Sequence, residues 1–214
     1  EAAHAAREGL ELLSALGEGP VRERIELMNQ LGKIALADDD TQHAIDFFQE
    51  TLGLAEKSGL GHEQARALVN MGMAHMRLGE TSRAEQRLLA GIEKAQEVND
   101  LTRLAFGYMN LGVLVHQCGE LGRAIECYRE CRSLFRRLGN RTQLARVLHN
   151  LGNLYLMAGD LERARAHNDE ALRLARQSGV ERVVAISTVV DGIILAAQGD
   201  SASGEQRLRE GMRL

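Results

Sequence analysis

Five glycines, Gly32, Gly72, Gly112, Gly152 and Gly192, recur at a constant 40-residue spacing, and this constrains the fold more than any other feature. Other columns keep the same register. Leu31, Met71, Leu111, Leu151 and Asp191 precede the glycines. Further on come Asp39, Gly79, Gly119, Gly159 and Gly199, each followed by an acid: Asp40, Glu80, Glu120, Asp160 and Asp200. Ala44, Ala84, Ala124, Ala164 and then Gly204 make a last column. Several columns held in register over five copies mean stacked copies of one supersecondary unit, each packing on its neighbours.

Each column has a physical reason. Apolar residues recur at helical spacing: Met28, Leu31 and Ala35; Leu68 and Met71; Tyr108, Leu111 and Val115; Leu148, Leu151 and Tyr155. They form the core face of a first helix, A. The first glycine column leaves room for a second helix, B, to approach closely. The second sits where helix A ends and positive φ is needed. The acid after it can cap the free amides of helix B and meets the positive end of its dipole. Helix B stops at Gly59, Asn99, Gly139 and Gly179, the residue types that best tolerate a left-handed backbone. A single proline, Pro20, leaves the helices uninterrupted.

The expected fold is therefore all-α: a right-handed α-solenoid of antiparallel helix pairs in one continuous domain. Residues 1–21 read as the helix B of a truncated repeat. Full repeats follow at 22–61, 62–101, 102–141 and 142–181, with an incomplete fifth at 182–214. The chain starts on Glu1 rather than methionine, so it reads as a piece of a longer solenoid. Uncovered ends lead us to expect end-to-end self-association between copies.

The composition narrows function. A formal net charge of -4 gives no basic footprint for nucleic acid. The charge is uneven: residues 1–102 carry 10 Lys and Arg against 18 Asp and Glu, whereas residues 103–182 carry 13 against 8. Such asymmetry can steer an acidic partner, although solvated helix faces also produce it. Cys118, Cys127 and Cys131 lack paired spacing and suggest reduced thiols in a cytoplasmic protein. No apolar run is long enough to cross a membrane. No nucleophile elbow, phosphate loop or metal-ligand motif is present, so neither an enzyme, a cofactor nor a metal is expected. Cys131 falls in a small packing column with Gly91 and Ala171, and His75 stands in the large aromatic column of helix A.

The pattern resembles the tetratricopeptide repeat, most closely in "LHNLGNLYLMAGDLERARA" at residues 148–166. The usual repeat has about 34 residues and ends in proline. The 40-residue variant is similar to adaptors of the Pins/LGN type, to bacterial MalT-like regulators and to peptide-pheromone receptors. The resemblance implies a protein-interaction module that holds an extended or helical peptide in a concave groove lined by the A helices. The alternative it implies is a ligand- or peptide-sensing domain of a bacterial transcriptional or signalling regulator.

The candidate peptide-binding residues follow from the columns of helix A. Gln30, Asn70, Asn110, Asn150 and Val190 precede the Leu–Gly pair. In the family, asparagines there form a ladder, and an amide can both donate to and accept from a peptide backbone. The alternative is bonding within their own helix. Arg66 and Arg146 stand four residues before two of the asparagines, on the same helix face, and arginines at this place tend to meet ligand acids. Pairing with a neighbouring surface acid is the equal alternative. Met73, Phe106, Met109, Val113, His149 and Asn153 complete the candidate surface, with adaptable apolar ground in the second and third repeats.

Overall fold

The computed structural model describes residues 8, 9, 11, 12, 14 and 21–214. Over residues 21–214, ten helices follow one another without a strand. They are α1 (Val21–Ala37), α2 (Thr41–Lys57), α3 (Gly61–Arg77), α4 (Thr81–Glu97), α5 (Leu101–Gln117), α6 (Leu121–Arg137), α7 (Arg141–Met157), α8 (Leu161–Gln177), α9 (Glu181–Ala197) and α10 (Ser201–Gly211). The helix expected over residues 1–16 lies largely outside the described residues.

The rhythm is finer than the glycine columns suggest. Helices of 17 residues alternate with turns of three, so each starts 20 residues after the last. The two cap columns merge into one series of left-handed residues. Gly59, Gly79, Gly119, Gly139, Gly159, Gly179 and Gly199 have φ between 65° and 94°, and Asp39 (60°) and Asn99 (55°) fill the series. Each turn closes in the same way. The Leu60 N–H reaches back to the Ala55 carbonyl and the Gly59 N–H to that of Glu56, a pair of bonds that satisfies the last carbonyls of a helix.

The acid column divides by side-chain length. Asp40, Asp160 and Asp200 accept from the backbone amides of His43, Arg163 and Ser203, capping α2, α8 and α10. Glu80 and Glu120 make no such cap. Their extra methylene carries the carboxylate past the amides, and they pair with Arg83 and Arg123 one turn on.

The helices form two compact units, Glu1–Leu114 and Val115–Leu214, and the division falls within α5. In the first, α1 packs on α2, α2 on α3 and α3 on α4, while α1 also touches α3. In the second, α6 to α10 pack in the same sequential way, and α7 touches α9. Small residues set the spacing inside each pair. Ala44, Ala84, Ala124 and Ala164 are fully buried. A Cβ on Gly72 would lie 2.6 Å from Leu88 Cγ. In the α9–α10 pair the backbones approach more closely still: a Cβ on Gly192 would lie 2.8 Å from the Gly204 carbonyl oxygen. Gly204 in place of alanine is thus part of the packing of the last pair. Asp191, which replaces the leucine of the pattern, is buried and held by Arg207 Nε at 3.2 Å.

Candidate functional site

In the first unit the polar side chains of α1 and α3 mostly bind one another. Arg66 is only 9% exposed. Its guanidinium meets Glu26 at 2.6 Å on α1 and Glu63 on its own helix. The bond to Arg66 holds the Glu26 carboxyl below its ordinary pKa, against the opposing pull of desolvation. Asn70 donates to the Asn29 amide oxygen at 3.3 Å, and the fully buried Asn29 donates to the Ile25 carbonyl. Arg77 donates to the Leu36 carbonyl. Gln30 is exposed and donates to Glu26. Residues about 40 apart therefore stitch two parallel A helices together. Met73 is half-buried against the cluster of Leu36, Phe48, Leu68 and Met71.

Within α5, Phe106, Met109, Asn110 and Val113 are all half-buried. Their spacing puts them on one helix face. Gly107 lies against Ile92 of α4, where a Cβ would come within 2.6 Å. This seats the first turns of α5 on α4.

The second unit uses the same columns differently. Arg146 is exposed and has no ion-pair partner among the described residues. His149 faces Ser187 of α9 through Nδ1 at 3.1 Å, and burial pushes its pKa down to about 4. Asn150 shares a side-chain hydrogen bond with Tyr128, whose own pKa burial raises. Asn153 is half-buried and Val190 is buried. Beside these stand Met157 (56% exposed), Ile186 (38%) and Ile193 (42%).

Ile186 and Ile193 escaped the sequence reading, yet the columns contain them. Ile186 continues the series Glu26, Arg66, Phe106, Arg146, and Ile193 continues Lys33, Met73, Val113, Asn153. The same columns contained the fate of Arg66, because a glutamate stands one repeat before it.

Cys127 and Cys131 are buried, and burial raises both thiols. Among the described residues no group of three or more His, Cys, Asp or Glu could hold a metal ion. No helix there is long and apolar enough to cross a membrane.

This architecture of 17-residue helices, left-handed turns and glycine-mediated pairs meets a direct sequence match. Residues 103–177 fit the family model of the tetratricopeptide repeat. Residues 103–177 carry tetratricopeptide repeats. No curated protein matches the chain by sequence. Among solved structures, the chain is similar to BtubC of P. vanneervenii, with a TM-score of 0.84 and 20% identity over 99% of this chain and 87% of that one. It is similar to the apo form of RapI, at 0.81 and 15% over 100% and 92%. It is also similar to a Rap protein complexed with competence and sporulation factor, at 0.78 and 13% over 97% and 59%. At such identities the likeness establishes the tetratricopeptide-repeat fold.

Proposed function

We propose that the chain is a protein-interaction module whose A-helix faces hold a peptide segment of a partner. One observation carries this reading. In the second unit Arg146 is exposed, without an acid of its own, in register with the exposed Ile186, on a face that further along carries the exposed Met157 and Ile193. An unneutralised guanidinium beside exposed aliphatic side chains suits a segment that alternates acidic and apolar residues. In the first unit, Phe106, Met109 and Val113 offer apolar ground and Asn110 offers an amide. Arg66 already has two carboxylates and is not available to a ligand acid. The backbone-holding role of Asn70, Asn110 and Asn150 remains part of the proposal, with Asn110 the member to test first.

A structural neighbour, the Rap conjugation gene regulator of the plasmid pLS20, is in complex with the Phr* peptide, which favours a peptide as the ligand. That neighbour is a gene regulator by its description, which also favours the second reading, a peptide-sensing domain of a bacterial regulator.

Selecting random peptides on the immobilised chain tests the reading. Enriched peptides should combine Asp or Glu with aliphatic residues. Arg146→Ala should weaken the acidic ones by about 1.5–3 kcal/mol, as expected for a hydrogen bond to a charged group. Recovery of peptides whose affinity is unchanged by both Arg146→Ala and Asn110→Ala would sink the proposal.

A further inference from the structure

A row of arginines on the B helices of the second unit lies apart from the residues proposed to hold peptide. Arg129, Arg132 and Arg136 are spaced to share one face of α6. The outer two are anchored to other helices. Arg129 donates to the phenol oxygen of Tyr155 on α7 at 2.7 Å. Arg136 Nη2 donates to both carboxylate oxygens of Glu170 on α8, at 2.7 and 2.9 Å. His167 joins the two anchors. Its ring stacks on Tyr155, with centroids 5.4 Å apart and an interplanar angle of 17°, and Glu170 follows it one turn on along α8. Arg132, between the anchored guanidinia on the same helix face, is therefore directed at His167.

Arg132 departs from its repeat column. Leu52, Ile92 and Leu172 hold the equivalent places in the other repeats and are buried. Arg132 is half-buried and has no hydrogen-bond or ion-pair partner among the described residues. Its aliphatic stem can cover the apolar ground while its charge reaches the surface between α6 and α8. Leucine fills the same column in two neighbouring repeats, so packing alone does not call for a guanidinium here.

The local charge points to an anion. Burial lowers the pKa of His167, and Arg132, Arg136 and Arg129 lower it further, with Glu170 alone opposing them. Three guanidinia thus act at one spot against one carboxylate. Arg163, which lies over the Tyr155 ring, is matched separately by Asp160. Each guanidinium has five N–H donors, so Arg129 and Arg136 keep donors beyond those already engaged. Guanidinium forks match phosphate oxygens in both geometry and charge, and the anchored outer pair needs little further ordering to receive them. We infer that the second unit binds a phosphate monoester on the α6–α8 face, its oxygens on Arg132 and on the remaining donors of Arg129 and Arg136.

Amide chemical-shift titration of the isotope-labelled chain with phosphoserine blocked at both ends tests this, at fixed ionic strength because salt screens such contacts. The expected result is saturable shifts centred on Arg132 and His167, with a Kd of about 1 mM or tighter. Arg132→Leu installs the residue of the neighbouring repeats, so it should melt no lower than the parent while weakening binding about tenfold or more. Arg132→Gln should weaken binding alike. Blocked aspartate, with its single charge, should bind the parent about tenfold more weakly than phosphoserine. A phosphoserine peptide that binds more tightly than inorganic phosphate assigns the group to a partner chain, and equal affinity assigns it to a free phosphate. Shifts that fail to saturate by about 10 mM overturn the inference, as does binding to both Arg132 variants that equals the parent's.

Discussion

The two units share one 20-residue rhythm but give the same columns different tasks. In the first, Glu26 and Arg66 neutralise each other across successive A helices. In the second, Arg146 and Ile186 fill that column and leave a cation and an aliphatic side chain exposed. The next contact shows a similar contrast: Asn70 ties to Asn29 in one unit, while His149 ties to Ser187 in the other. A repeat column fixes where a side chain points, and the neighbour one repeat away decides whether it is available.

The largest test concerns the closeness of helix pairs. Gly192→Ala should destabilise the chain by about 3 kcal/mol, because the added Cβ meets a backbone oxygen that cannot rotate aside. Gly72→Ala should cost less, about 1–2 kcal/mol, since its Cβ meets the fully buried Leu88 side chain but no backbone atom closer than 3.2 Å, and alanine favours the helix. Denaturant melts of the two variants decide the order; equal losses would remove the distinction.

Acid should separate the units next. The pKa of His149 is depressed to about 4 in the folded chain, below its ordinary 6.5. Its neutral form thus contributes stability that is fully present above pH 6.5 and lost as pH falls towards 4. The loss should be on the order of 2–3 kcal/mol. Burial depresses His167 in the same direction, so His149→Gln should flatten the slope without abolishing it. In the first unit Glu26 is depressed, so its contribution persists above pH 4.5 and fades only below that. Hydrogen exchange resolved by residue should show the second unit loosening first as pH drops.

A smaller contrast is Arg66→Ala against Arg146→Ala. The first leaves Glu26 and Glu63 without their shared partner and should cost about 1–2 kcal/mol. The second should change stability by less than about 0.5 kcal/mol, as for an isolated surface residue. Thermal melts give both values; a stability loss for Arg146→Ala matching that of Arg66→Ala would end the division of labour. The smallest expected effect is Asn99→Gly, which should stabilise by about 0.5–1 kcal/mol by relieving a positive φ of 55°.

The helices and their turns were legible because each is set by local chemistry. Gly32 and its equivalents mark close packing, and Gly59, Gly79 and the rest mark a conformation few other residues tolerate. Even the exceptions, Asp39 and Asn99, are types that accept it. The candidate site was less legible because its polar side chains interact at 40-residue separations. Arg66 looks like Arg146 along its own helix, and only Glu26 on the previous one distinguishes them.

The register that stitches the A helices also bears on how the chain assembles. Hydrogen bonds linking a helix to the second one after it span 38 to 41 residues, and those closing the turns span three to five. Little entropy of loop closure then stands between an extended chain and its first stable pair, a topology associated with folding in microseconds to milliseconds. During synthesis each pair can close as soon as its successor clears the ribosome, without waiting for the chain to be finished.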